Sequence, residues 1–368
     1  MECILGQLHE QAYALKLENR GPEVFFRGLI EISNKCRKNC LYCGIRSGNC
    51  AVQRYEMSDE QVLQEAQFAL DARYGSIAIQ GGERSDSAFI ERITRLVHQI
   101  RRLRRGGGCV PGVGENDLGI TLSLGEQHRE VYKEWKNAGA RRYLLRIEAS
   151  DMDLYNLLHP ADKFHSYDTR VQALVDLKSE GYLLGSGIMI GLPFQTAAHL
   201  DSDLQFLKNM QVDMVGMGPY IPHKDTPLGQ VVEYWKTGLF PLEDFATDPY
   251  LMHMASLPRG DFWNLDNREL LQLSIDMVAR LRILMPHINI AATTALQVLD
   301  PDGREMALMA GANVIMPNMT DTSLRGKYSL YEGKQGVADD AASTRDKLLE
   351  NLARLNIPVG WDKRGDVL

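Results

Sequence analysis

Short apolar or β-branched runs alternate along this chain with amphipathic stretches long enough to form helices. Eight such runs read as strands: Arg27–Ser33, Ser76–Gln80, Leu118–Leu124, Arg142–Glu148, Leu184–Ile190, Val212–Met217, His287–Ala292 and Asn313–Met316. Apolar positions at helical spacing predict helices over Asp59–Ala72, Arg129–Ala138, Arg170–Glu180, Leu200–Met210, Asn267–Leu284 and Gly303–Met309. Largely apolar strands separated by helices are the pattern of a parallel sheet buried on both faces. The expected fold class is α/β, a (β/α)8 TIM-type barrel, although an open doubly wound sheet shows the same alternation.

The barrel is expected over residues 27–334, after an N-terminal helical segment at 1–26 and before a C-terminal helical tail at 335–368. Two stretches break the rhythm. Residues 101–116 are rich in arginine and glycine and read as a surface loop before the third strand. Residues 228–266, with Trp235, Phe240, Pro241, Pro258 and Trp263, form a long excursion after the sixth strand. Long loops of a compact barrel are usually functional, so this one reads as a lid on the C-terminal face; an insertion without function is the plain alternative.

Composition narrows the class further. Of 368 residues, 44% are hydrophobic and 24% charged, which excludes wholesale disorder and collagen-like or coiled-coil architectures. A net charge of −7 argues against a nucleic-acid-binding face. The most apolar run, Leu183–Leu192, is cut by Gly185, Gly187 and Gly191, so no membrane span is expected. The first residues lack a basic region followed by an apolar stretch, and the chain reads as cytoplasmic.

The six cysteines say more by position than by number. Cys36, Cys40 and Cys43 fall within eight residues directly after the first strand, while Cys3, Cys50 and Cys109 are scattered. In a reducing compartment such a cluster points to a metal rather than to disulfides. Three thiolates on one loop can each hold one iron of a [4Fe-4S] cubane and leave the fourth iron open for chemistry. A zinc site completed by Cys50 or a histidine is the alternative, with Cys50 seven residues beyond Cys43.

The C-x3-C-x2-C spacing, with Tyr42 just before the last cysteine, resembles the radical S-adenosylmethionine (SAM) superfamily. The blocks EISNKCRKNCLYCGIR, TLSLGE, RYLLRIEAS, GIMIGLPFQT, DMVGMGPYIPHKDTPL, ATTALQ and GANVIMPNMT are similar, in order, to the HydE family of [FeFe]-hydrogenase maturases, in the group of biotin synthase and methylornithine synthase. The likeness covers roughly Arg27 to Lys334. It implies a full radical SAM barrel with one [4Fe-4S] cluster on Cys36, Cys40 and Cys43 and with SAM chelating the open iron.

The resemblance also implies residues for SAM. Gly81, Gly82 and Glu83 match the block whose backbone and acid meet the SAM ammonium, and glycine permits that close approach. Glu148 matches the ribose-binding acid, and Arg170 an arginine that pairs with the SAM carboxylate. Met189 would pack on the adenine, with Ser123 a further candidate nearby. The plain alternatives are an ion pair between Glu148 and Arg170, a tight turn at the glycines, and barrel packing for Met189.

For the substrate chamber the resemblance implies Thr121, Arg146, Thr293, Thr294 and Tyr328. Arg146 and Glu148 lie two residues apart, on one face of a strand. A buried cation beside hydroxyl donors suits an anionic or cyanide-bearing ligand. Alternatively Arg146 serves only Glu148, and the two threonines cap helices. Met214, Met217 and Met316 read as packing and His223 as a loop-ordering residue. The family's extra C-terminal cysteines are missing, since residues 332–368 contain none. Cys109, in the glycine-rich stretch, reads as incidental.

The implied activity is reductive cleavage of SAM to a 5′-deoxyadenosyl radical that acts on a small sulfur-containing iron complex during assembly of the hydrogenase active-site cluster. The implied partners are that small molecule, an electron donor such as a flavodoxin or ferredoxin, and other hydrogenase maturases, with no nucleic acid and no membrane. Two alternatives stand beside it: a paralogue acting on an amino-acid-like or thiazolidine substrate, and a non-enzymatic iron–sulfur carrier.

Overall fold

The computed structural model describes residues 5–106, 116–241 and 245–366. Eight parallel strands close into a ring: β1 (Phe25–Ser33), β2 (Ser76–Gly81), β3 (Gly119–Ser123), β4 (Arg142–Leu144), β5 (Leu183–Ser186), β6 (Met214–Gly216), β7 (Asn289–Ala291) and β8 (Val314–Ile315). The ring shuts where β1 pairs with β8, Phe25 opposite Val314 and Phe26 opposite Ile315. The barrel reading therefore holds over the open sheet.

Alternation explains the layers. Ile77 and Ile79, Ile120 and Leu122, Tyr143 and Leu184 face outward and form, with the covering helices, one continuous apolar core. The opposite positions, among them Arg27, Glu31, Gln80, Thr121, Ser123 and Arg142, face into the ring. Glu31, Arg27, Thr121 and Arg142 are buried there, while Leu29, Gln80 and Ser123 stay partly accessible. The interior is thus polar, unlike the packed layers of branched aliphatics that fill an ordinary barrel of this kind.

Several helices start earlier than the periodicity predicts, because their caps are polar residues outside the apolar pattern. Ser166 caps Tyr167–Ser179 by accepting from the Thr169 amide, and Thr196 caps Ala197–Asn209. Two predicted strands are also shorter. Regular pairing of the fourth stops at Leu144, and the fifth breaks at Gly187, where any Cβ would sit 1.9 Å from the Gly216 carbonyl oxygen. The chain resumes as Met189–Ile190, paired with Gly218–Pro219.

The described residues within 227–256 form a helix, Pro227–Thr237, a short 3₁₀ turn at Phe245–Thr247 and a second helix, Pro249–Ser256. Together they build a second apolar cluster in which Leu228, Trp235, Phe245 and Leu251 meet Leu158, Phe194 and, from the cysteine loop, Leu41. The excursion is thereby fastened to that loop: the Leu228 amide donates to the Leu41 carbonyl at 3.0 Å. At the other end of the ring a helix, Ala341–Arg354, is followed by an extended segment whose Asp366 pairs with Arg142 and whose Gly365 carbonyl accepts from Asn289 at 2.6 Å. No helix among the described residues is long and apolar enough to cross a membrane.

Candidate active site

The cysteine loop leaves β1 at Ser33 and is held by groups with no role in the apolar pattern. Arg54 donates to four of its carbonyls, those of Asn34, Ile45, Arg46 and Asn49, at 2.6–3.1 Å. The Asn39 amide donates to His165 Nε2 at 2.9 Å, and the Gly44 amide to the Leu330 carbonyl at 3.0 Å. Gly82 lies against the loop so closely that a Cβ would come within 2.4 Å of the Lys35 carbonyl oxygen and 2.8 Å of Cys36 Cβ. Glycine at 82 is therefore required by the seat of the cysteines, a reason the sequence alone does not disclose.

The three thiols are close enough to sense one another. Burial, and then the neighbouring charge of Cys36, push the Cys40 thiol up to about 12; burial and the other two sulfurs drive Cys43 up as well. Thiols so crowded resist joint ionisation unless a multivalent cation balances them. Among the described residues no three His, Cys, Asp or Glu side chains converge on one metal ion. Cys50 is exposed and makes only a long contact, 3.9 Å, with the Gly48 carbonyl. This donor set fits a cubane, which takes each thiolate on a different iron. Cys3 and Cys109 lie outside the described residues.

Beside the thiols runs a buried charge network. Glu83, whose amide donates to Cys36 Sγ at 3.3 Å, accepts from Arg37 at 2.9 Å and from the Glu126 amide at 2.8 Å. Its carboxylate is thus engaged in bracing the loop. Glu126 in turn pairs with Lys38 at 2.7 Å and with Arg170. Burial alone would raise the Glu126 carboxyl, but Arg170 and Lys38 outweigh it and hold it below its ordinary value. Arg170 also donates Nη1 to the Arg146 carbonyl at 2.5 Å, whereas its Nη2 makes no hydrogen bond among the described residues. Arg37, Lys38 and Glu126 went unassigned in the sequence, although Glu126 closes the TLSLGE block.

Arg146 and Glu148 do share one side of the chain beyond β4. Arg146 Nε donates to both Glu148 oxygens, at 2.9 and 3.0 Å. Its other nitrogens reach the carbonyls of Gly216 and, at 2.6 Å, Ile188, which the break after β5 and the end of β6 leave open. Glu148 itself has φ +67°, a conformation that side chains other than glycine's rarely adopt. It exchanges backbone bonds with the segment past β5: its amide donates to Gly187 and its carbonyl accepts from Met189, both at 3.0 Å. Met189 is thus placed next to Glu148, partly buried. Arg170 pairs with Glu126 and not with Glu148, so that alternative fails.

Around the mouth, Thr293 Oγ1 donates to the Met217 carbonyl at 3.2 Å and Thr294 Oγ1 lies 3.2 Å from the Tyr331 hydroxyl. Neither threonine caps the short helix Leu296–Leu299 through its side chain. Thr121 Oγ1 is buried inside the ring without a hydrogen-bond partner, an orphan that a bound polar group would satisfy. Tyr328 is buried, its hydroxyl accepting from Gln80 at 3.3 Å, and Ser123 stands opposite Gln80 in the β2–β3 register. Tyr331, three residues on, was missed by the sequence reading; burial raises its phenol against the hydrogen bond with Thr294 and the charge of Arg146. His223 accepts from the Asp225 amide at 3.2 Å, consistent with ordering its loop.

A closed parallel barrel whose first strand ends in this thiol loop, with an acid and paired arginines at the neighbouring strand ends, is the framework of a radical SAM enzyme, and the model of the Radical SAM superfamily matches residues 30–207. The chain is 41% identical over 346 residues, 94% of its length and 84% of the relative's, to the [FeFe] hydrogenase maturase subunit HydE of Thermotoga maritima. It belongs to the HydE family. It is also 24% identical to the 3-methylornithine synthase of Methanosarcina barkeri, over 95% of this chain and 83% of that one. A solved methylornithine synthase shares the fold with a TM-score of 0.68 at 20% identity, covering 97% of this chain and 89% of the other.

Proposed function

We propose that this chain is a hydrogenase maturase that cleaves SAM on one [4Fe-4S] cluster and directs the product radical onto a small sulfur-containing iron complex. When bound and reduced, the cluster supplies the electron that breaks a sulfonium C–S bond, giving methionine and a 5′-deoxyadenosyl radical. Cys36, Cys40 and Cys43 would hold the cluster. The backbone at Gly81 and Gly82 would accept the SAM ammonium, the spare edge of Arg170 its carboxylate, and Glu148 its ribose. Met189 and Ser123 would flank the nucleoside.

The observation that carries this reading is the polar ring interior directly under the thiols. Arg146, the orphaned Thr121 hydroxyl, Thr293, Thr294 and Tyr328 would bind and orient an anionic iron complex there. Arg146 is neutralised by Glu148 and its nitrogens already donate within the chain, so it acts by setting the position of the chamber wall and not as a free charge.

Other maturases would supply the complex, and a flavodoxin or ferredoxin the electron. The test is anaerobic: reconstitute the cluster, add SAM and dithionite, and quantify 5′-deoxyadenosine and adenosyl adducts with and without the iron product of a partner maturase. Adenosyl capture that needs the iron complex supports the proposal. SAM cleavage indifferent to the complex would reassign the substrate, and no cleavage in either case would overturn it.

A further inference from the structure

Between Ile32 and Tyr55 the chain carries five basic residues, Lys35, Arg37, Lys38, Arg46 and Arg54, and no acid, in a protein with more acids than bases overall. The structure disposes of these charges unequally. Lys38 and Arg54 are consumed inside, by Glu126 and by backbone carbonyls. Lys35 and Arg37 pair with Glu56 and Glu83 but stay partly exposed. The Arg46 backbone is engaged in the loop, but its guanidinium has neither a carboxylate nor a hydrogen-bond partner among the described residues, and its Nε is buried and unsatisfied.

Arg46 lines a cavity of about 480 Å³ on the outer side of the cysteine loop. Asn39 and Leu41, which flank Cys40, form one wall; Phe245 and Tyr250 of the excursion form the opposite one. The two acids at its edge are already engaged: Asp248 caps the helix Pro249–Ser256, and Asp225 pairs with Lys224 at 3.0 Å. The cavity's own lining is mixed, but large apolar side chains are exposed on the excursion that forms one of its walls. Of the eight large hydrophobic side chains exposed among the described residues, four lie on the excursion, Leu239 (71%), Phe240 (50%), Tyr250 and Met252, and a fifth, Phe164, lies against Arg37. Exposed apolar side chains beside an arginine without a carboxylate mark a protein-binding face rather than plain solvent-exposed surface.

We infer that this face is the docking surface for a small acidic one-electron carrier protein. A carboxylate of the carrier meets Arg46, and its apolar rim covers Tyr250, Phe240 and Leu239. The inference rests on the radical SAM reading, in which the cluster must be reduced from outside. One electron passes from carrier to cluster, the carrier is oxidised by one electron, and no bond or proton changes hands. The route is short, because the residues on the cavity wall are the chain neighbours of Cys40.

The test uses reconstituted holoenzyme and a flavodoxin. Calorimetric titration with oxidised flavodoxin gives affinity, and stopped-flow bleaching of the cluster by photoreduced flavodoxin gives the rate of delivery. Arg46→Glu is expected to weaken binding at least tenfold and to slow delivery equally, with a loss of salt dependence, while dithionite-driven SAM cleavage stays at the wild-type level. Unchanged flavodoxin affinity in Arg46→Glu overturns the inference. Should that variant lose its cluster, the double variant Phe240→Ser/Tyr250→Ser, outside the cysteine loop, decides: weakened binding upholds the surface and wild-type binding overturns it. Failure of the wild type to cleave SAM with dithionite would instead strike the enzymatic reading, and the titration reports on the docking face independently of it.

Discussion

Arg146 grips both oxygens of Glu148 at 2.9 and 3.0 Å while Glu148 holds a left-handed backbone, φ +67°, four residues past the end of β4, where it still bridges to Ile188. Side-chain and backbone contributions at position 148 can be separated. Glu148→Val removes the partner of Arg146, at a cost of about 1–3 kcal/mol for the donor left unsatisfied, whereas Glu148→Asn removes the charge but keeps one accepting oxygen. Asparagine tolerates the left-handed region and valine does not, so Glu148→Val is expected to melt lower by a further 1–3 kcal/mol or so. Thermal denaturation of the two variants side by side checks this; equal midpoints would mean the backbone is unstrained there. SAM affinity is expected to fall in both.

The two glycines of the QGGE turn are not equivalent. A Cβ at 81 meets neighbours no closer than 3.3 Å, whereas one at 82 drives into the Lys35 carbonyl at 2.4 Å. Gly81→Ala is therefore expected to load four irons like wild type. Gly82→Ala is expected to displace the cysteine loop, costing about 1–3 kcal/mol and most of the cluster. Iron analysis after identical reconstitution decides, and full loading of Gly82→Ala would refute the account of the seat.

Among the cysteines, Cys36→Ala, Cys40→Ala and Cys43→Ala are each expected to abolish SAM cleavage with unchanged circular dichroism. Cys50→Ala is expected to keep both cluster and activity, since its thiol is exposed and apart. A zinc site completed by Cys50 would give the opposite result for that variant.

His159 provides a pH signature. Burial, which outweighs its bond to the Tyr155 carbonyl, lowers the imidazole from 6.5 to about 3. The unfolded chain takes up a proton below 6.5 that the folded chain refuses. The stabilising contribution is therefore complete above pH 6.5 and is lost as pH falls toward 3, at up to about 1.4 kcal/mol per pH unit. His159→Gln, which retains a donor and an acceptor for Tyr155 and Tyr42, is expected to flatten the melting-temperature profile over that window. An unchanged slope would show that other groups carry it.

Much of this architecture was written in plain patterns. Short apolar and β-branched runs located all eight strands, and the thiol spacing located the cluster loop, because both are local. What escaped was set by contacts distant in sequence. Gly82 is required by Lys35 and Cys36 and not by its own turn; Glu126 matters because Lys38 and Arg170 converge on it from elsewhere in the chain. The shortened fourth and fifth strands follow from the guanidinium of Arg146 and from Gly187 pressed on Gly216, neither of which a hydrophobic pattern encodes.

The pairing of β1 with β8 has a consequence for biosynthesis. The thiols are translated soon after β1, but β1 finds its second neighbour only at Val314, and the loop gains a further anchor at Leu330. Until then the growing sheet has two open edges and the iron-binding loop lacks its contact with Leu330. Maturation of the metal site therefore belongs after ring closure, so that an iron–sulfur donor meets a finished mould rather than a nascent ribbon.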